Sequence, residues 1–499
     1  MYPQNYDMQK ALPLQSYLFG HRIQPSQTKY EYLIEFLQVA LADKKNATTE
    51  KPYRDEMFPV DNDQLNGNIV YYPKTRIGLK RFVFLPKSKL DGKAKVDQLA
   101  YNDCIQTLQS QVTGDKKAKR ENCIKIVQNL LNGFSAVNQS RSWFDQNMLP
   151  ICPEVVLPEG MGVKKWRQGL DYEIGNVDID YKFDYHRYTY MCRGGEVYYL
   201  HLLNAINEHP EYKAILQKRL KEMITSFPQF SYLCRFVERS WEEHILIQDS
   251  DKPQVEKRLG FIPNKFSECN EYVLSELSNF LNSKSHPFEK METLANGIIL
   301  QLLRAMYKVA SSDTESNCWV IDVNCNGYSN PEAKKSAISS FIKNEEIISN
   351  YLYNGLELYG DRLSETNTAK IIKDAADDSY RLFRKMGKMI GIIIPSTGKG
   401  MRFSLSEDII KFLVLSIIPP KKMITLDEFI DLLYKHFGMV IGPKQYKLEM
   451  NKGCVKLVGD FSFLDENKKA FAQKLKDCGF LRDLSDATSI VENPYEEEV

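Results

Sequence analysis

Apolar residues recur at three- and four-residue spacing along most of this chain, so it reads first as a series of amphipathic helices. "TKYEYLIEFLQVALA" (28–42) sets Tyr32, Leu33, Phe36, Leu37 and Ala40 on one helical face. "NIVYYP" (68–73) and "KRFVFLP" (80–86) break that rhythm. Both are short, rich in β-branched and aromatic residues and ended by proline, which predicts strands. "KAKVDQLAYNDCIQTLQSQV" and "KRENCIKIVQNLLNGF" return to helical spacing. "MLPICPEVVLPEGMG" (148–162) holds three prolines and two glycines and predicts a boundary.

After that boundary, "VDIDYKFDYHRYTY" (177–190) partly alternates and predicts a strand or hairpin arm. The pattern then stays helical through "EVYYLHLLNAINEH", "EYKAILQKRLKEMITSF", "FSYLCRFVERSWEEHIL", "CNEYVLSELSNFLNS" and "METLANGIILQLLRAMYKVA". It continues in "EAKKSAISSFIKNEEIISNYLYNGLELYG" and "TAKIIKDAADDSYRLFRKMGKMI". Short loops between such helices imply a bundle of antiparallel neighbours.

The last hundred residues punctuate their helices clearly. "SLSEDIIKFLVLSIIPP" pairs Ser404 with Glu407 as a capping box and stops at Pro419. "ITLDEFIDLLYKHFG" repeats the device with Thr425 and Glu428, lines Leu426, Phe429, Ile430, Leu433 and Phe437 inward, and ends at Gly438. "DENKKAFAQKLKDCGF" turns Phe471, Leu475 and Cys478 to one side, and "FLRDLSDATSIVENPY" folds back as a two-stranded wing. Helix, helix, helix, wing is a winged-helix order, lengthened by the insert "MVIGPKQYKLEMNKGCVKLVG". The expected fold class is therefore mainly α with minor β (α+β). An N-terminal mixed α/β domain (1–160) precedes a central helical domain (161–395) and a C-terminal winged-helix-like domain (396–499).

Composition adds limits. The 499 residues carry a net charge of +1, so nucleic acid or membrane binding needs a local patch. Ten cysteines stand singly, with no CxxC pair for a zinc ribbon or a disulfide framework. They fit buried thiols in a reducing, cytoplasmic setting. "IIKFLVLSII" (409–418) is too short to cross a bilayer, and the N-terminal residues lack a secretory pattern, so no membrane partner is expected. The seven histidines show no metal-ligand spacing, and no nucleophile motif occurs.

Four places bear candidate chemistry. Opposite Phe471, Lys469, Gln473 and Lys476, joined by Arg482, are residue types that meet phosphates and base edges. Ten Lys/Arg against five Asp/Glu between Lys435 and Arg482 give a local excess of +5. Against that, no Lys or Arg follows Arg482 and the chain ends in "EEEV". In "GIIIPSTGKGMR" (391–402), Gly398, Lys399 and Gly400 suggest an anion loop, but the spacing is not that of a phosphate-binding loop. "RGGEVYYLHLL" (193–203) opens a helix on two glycines near Arg193, a place for an anion or for a tight turn. "DYEIGNVDIDYKFDYHRY" (171–188) offers Asp178, Asp180 and Lys182, with Asp171 upstream, as a Mg²⁺-dependent nuclease set; alternating charges on an edge strand explain it equally well.

The ending, from "RFSLSEDIIKFLVLSIIPPKKMITLDEFIDLLYKHFGMVIG" to "FLRDLSDATSIVENPY", resembles uncharacterised bacterial anti-phage defence-island proteins with a C-terminal winged-helix-like domain, encoded beside ATPases and helicases. The resemblance covers about a fifth of the chain and carries no catalytic residue. It implies a part in detecting or processing foreign DNA. The expectation is a non-catalytic DNA-binding or scaffolding subunit of a multi-protein complex in antiviral defence, without cofactor. Its partners would be other protein subunits, an ATPase or helicase among them, and DNA. The alternatives are the nuclease, with Mg²⁺ as its only cofactor, and a pure protein-interaction module.

Overall fold

The computed structural model describes residues 18–20, 27–60, 68–74, 77–87, 95–136, 147–156, 194–244, 256–311, 318–323, 329–359, 373, 376, 379–485 and 488–498. Helix α1 (Lys29–Leu41) forms where the periodicity places it, but it is more than amphipathic. Every residue from Glu31 to Ala40 is buried, so Glu31, Glu35 and Gln38 go inside with the apolar stripe. A helix covered all round is a core helix. Behind it, β1 (Asp43–Asn46), β2 (Pro52–Tyr53), β3 (Ile69–Tyr72) and β4 (Lys257–Arg258) make an antiparallel sheet in the order β2-β1-β3-β4, with Lys44 opposite Tyr71 and Val70 opposite Arg258.

The segment expected as a second strand is helix α2 (Ile77–Phe84), followed by a 3₁₀ turn. Its residues Leu79 to Leu85 are all buried, Lys80 and Arg81 included. A short apolar run buried on every side has no period to read, and contacts with α3 (Lys95–Gln111), α4 (Lys117–Asn132) and α7 (Pro228–His244) decide it. The Leu79 N–H at the start of α2 donates to Glu238 of α7 at 2.7 Å, a carboxylate at a helix N-terminus.

The remaining helices are α5 (Gly194–Glu208), α6 (Tyr212–Thr225), α8 (Asn270–Asn282), α9 (Pro287–Ser311), α10 (Pro331–Tyr359) and α11 (Tyr380–Met389). Helix α9 is the axis of the molecule. It is 25 residues long, almost wholly buried, and packs against α1, α5, α10 and α11. The last hundred residues add α12 (Glu407–Ile417), β8 (Met423–Thr425), α13 (Leu426–Phe437), β9 (Met439–Val440), α14 (Pro443–Asn451), α15 (Ser462–Asp477), β10 (Leu481–Ser485) and β11 (Thr488–Glu492). Strand β11 lies between β10 and β8, all antiparallel, while β9 pairs in parallel with β5 (Trp319–Val320). A hairpin of β6 (Ile393–Ile394) and β7 (Arg402–Phe403) precedes α12.

The chain is thus mainly helical with small sheets. One hydrophobic cluster draws on all three regions separated in the sequence, from Leu33 through Leu303 to Val491. Helix α12 lies against α8 and α9, and Gly297 is needed there: a Cβ would stand 2.2 Å from the Phe412 ring. Among the described residues no helix is long and apolar enough to cross a membrane.

Candidate functional site

The C-terminal unit is built from local signals that work. Thr425 Oγ1 accepts the Glu428 N–H at 3.2 Å, and Gly438 stops α13 at φ +69°. The five residues expected to line the inner face of α13 are its buried ones. The cap of α12 differs from expectation. Ser406, not Ser404, accepts the Ile409 N–H, while Ser404 is buried and its N–H donates to Ile392. Only Ser404 has a glutamate three residues on, but the β7 hairpin claims it, and Ser406 caps the helix alone.

Lys469, Gln473 and Lys476 stand exposed on α15, and Arg482 is exposed on β10. Gln473 donates to Asp477 at 2.7 Å, Lys476 pairs with Asp483 at 2.8 Å and Arg482 pairs with Glu492 at 2.5 Å. The wider basic run is engaged in the same way. Lys444 pairs with Asp431, Lys452 with Glu449 and Lys468 with Asp427. Lys474 donates to the Leu405 carbonyl, and Lys435 and Lys447 lie over the Tyr272 and Phe461 rings. Of ten bases between Lys435 and Arg482, Lys456 and Lys469 alone have no such partner among the described residues.

The N-terminal half of α15 is tied inward. The Asn467 side chain donates to the Ile321 and Ile441 carbonyls and accepts the Val323 N–H. Glu466 accepts from Asn330, and the exposed acids Asp465 and Glu466 occupy that end.

Beneath this unit lies a buried ionic cluster that sequence spacing does not reveal. Glu276 of α8 receives Arg304 of α9 at 2.8 Å and His436 Nδ1 of α13 at 2.8 Å, and Gln301 donates to its other oxygen at 2.6 Å. Arg304 also reaches the His436 carbonyl, and its guanidinium lies 4.7 Å from the Phe437 ring centroid. Burial alone would push the Glu276 carboxyl upward; Arg304 and His436 outweigh it and hold it below the ordinary value. Nearby His201 is driven down to about 3 by burial and by the Arg304 charge, and stays neutral. The available signal is a carboxylate set into the apolar stripe of Val273, Leu277 and Phe280, facing an arginine set into another.

The remaining candidates resolve differently. The two glycines opening α5 meet α1, where a Cβ on Gly195 would come within 2.2 Å of the Tyr32 carbonyl oxygen. The Gly195 N–H is taken by the chain's own Glu35 at 2.9 Å. The 391–402 loop is a β-hairpin with an exposed turn at Gly398 and Lys399, not a strand leading into a helix. Asp171, Asp178, Asp180, Lys182 and Arg193 lie outside the described residues. No group of three or more His, Cys, Asp or Glu is arranged to hold a metal ion among those described. No family model, curated protein or solved structure matches the chain.

Proposed function

We propose that this chain is a non-catalytic scaffold subunit, and that its C-terminal winged-helix-like unit docks protein rather than DNA. The element order supports the winged-helix reading once β9 and α14 are set aside as an insert: helix, strand, helix, helix and a terminal hairpin whose second strand pairs with the first strand. The observation that carries the docking reading is the N-terminal half of α15, where Asp465 and Glu466 are exposed and Asn467 is bonded to the Ile321 and Ile441 carbonyls. A recognition helix enters the major groove by its N-terminal residues. Here those residues are acidic or tied to the rest of the chain. The resemblance of the ending to defence-island proteins names the class of companion: an ATPase or helicase.

The test is affinity purification from the native host, with and without nuclease, beside duplex binding by the pure chain at rising salt. Companions that survive nuclease, with duplex binding weak and shallow in salt, support the reading. Companions released by nuclease overturn it, as does steep salt-dependent binding abolished by Lys469→Ala with Lys476→Ala. Plasmid cleavage with Mg²⁺ that is lost in Lys182→Ala would replace it with the nuclease.

A further inference from the structure

The insert between α13 and α15 has no place in a compact three-helix unit, yet it is well built. Helix α14 and the loop after it fold back on each other through three contacts. The Cys454 N–H donates to the Glu449 carbonyl at 2.9 Å, the Tyr446 hydroxyl to the Lys456 carbonyl at 3.1 Å, and Lys447 covers the Phe461 ring. The inner side packs Tyr446 with Cys318, Val320, Phe463 and Leu464.

The outer side is unusual. Leu457 is 80% exposed in the loop and Leu448 44% exposed on α14, and Lys444, Lys447, Lys452 and Lys456, each within four residues of one of them along the chain, all reach solvent. The one exposed acid of the insert is Asp460, because Glu449 is buried beneath Lys452 and Tyr434. We infer that this face, built on Leu448 and Leu457 within a lysine frame, is the docking site for an acidic amphipathic segment of a partner protein. This rests on the protein-docking reading above. The lysines match carboxylates, and rim charges of this kind steer and select partners. The leucines decide against nucleic acid: a sugar–phosphate backbone offers them nothing, whereas an apolar stripe flanked by acids meets both residue types. Exposed ion pairs such as Lys444–Asp431 are weak enough to be exchanged for a partner's carboxylate.

Fluorescence anisotropy on the full chain tests it with three probes: a short labelled peptide with leucines on one helical face and glutamates on the other, a glutamate-only peptide of equal charge, and a DNA duplex. The amphipathic peptide should bind best. Leu448→Ser with Leu457→Ser, and separately Lys444→Ala with Lys456→Ala, should each weaken it about tenfold or more. The unfolding midpoint should hold in both, since the altered side chains are exposed. Equal binding of the glutamate-only peptide, binding indifferent to both variants, or a duplex that outcompetes the peptide overturns the inference. If native companions survive nuclease and also survive the leucine changes, the insert is the wrong surface and the scaffold reading stands.

Discussion

Two buried carboxylates show how differently this fold treats the same group. Glu276 sits where the C-terminal unit meets α8 and α9, and it has a guanidinium and an imidazole on one oxygen. Glu35 sits where α1 crosses α5, and its partners are the Gly195 N–H and the Gln27 amide. Glu276 is held below its ordinary pKa. Burial, with Glu31 and Glu196 close by, raises Glu35 well above it despite the Gly195 N–H. The first carboxylate therefore joins elements as a charge, and the second keeps its proton to a higher pH than a free carboxyl. A buried charge stays charged when a partner compensates its lost hydration, and takes up a proton when none does.

The largest effect is expected from breaking the first site. Glu276→Ala leaves Arg304 buried without its carboxylate, and removing one partner of a buried pair costs about 3–5 kcal/mol. Chemical denaturation would read this directly. A loss under about 1 kcal/mol would mean that the junction of α8, α9 and α13 is apolar in its energetics. The sign with pH follows from the depressed folded value. The stabilisation from Glu276 is present above the unfolded carboxylate pKa, and is lost as the pH falls through the folded one.

Packing at the two junctions makes the next comparison. Both rely on a glycine: Gly195 against α1 and Gly297 against α12. A Cβ on Gly195 meets the Tyr32 carbonyl oxygen and the Phe36 amide nitrogen, which are backbone and cannot turn aside. A Cβ on Gly297 meets the Phe412 ring, which can. Overpacking costs about 1–3 kcal/mol, so Gly195→Ala should fall at or above the top of that range and Gly297→Ala within it. The reverse order in unfolding free energies would show that α1 and α5 can separate more easily than α9 and α12.

Glu35→Gln sharpens the contrast in pH. A raised folded pKa stabilises the fold fully below the unfolded value, and that contribution is lost as pH rises through the folded value. Wild type should thus lose up to about 1.4 kcal/mol per pH unit against the glutamine variant above about pH 5, and match it in acid. Gln27 supports this reading. Its Oε1 is buried without a partner while its Nε2 faces Glu35. Turned over, that amide accepts a carboxyl proton, or one from the glutamine amide. Parallel pH profiles for the two proteins would mean that Glu35 is ionised in the fold.

These two sites also mark where the sequence can be read. Local chemistry is legible: the cap at Thr425, the inner face of α13, the stop at Gly438 and the terminal hairpin are each set by neighbours within one or two turns. Thr425→Ala should accordingly cost about 1 kcal/mol, checked by denaturation, with no change at the distant Glu276 junction. What comes from far along the chain is not legible. His436 and Glu276 are 160 residues apart, and α2 reads as a strand because the packing around it, not its own pattern, makes it helical. Asp171, Asp178, Asp180 and Lys182 lie outside the described residues and stay apart from this comparison.

The smallest effect separates a charge run from a charged surface. The excess of +5 between Lys435 and Arg482 is counted along the chain, but the fold pairs those bases with acids that include Asp427, Asp431 and Glu492 from outside the window and Asp483 at its edge. A strand turn brings Asp483 under Lys476, and the hairpin register brings Glu492 to Arg482. Lys476, Asp483 and Arg482 are exposed, so screening leaves their pairs little weight, although Glu492 itself is mostly covered. Lys476→Ala and Arg482→Ala should each leave the melting temperature within measurement error, and raising the salt should not separate them from wild type. A clear loss in either would mean that the flank is rigid and its pairs are structural. An unchanged midpoint leaves those side chains free to exchange partners, which a docking surface requires and a buried junction such as Glu276 forbids.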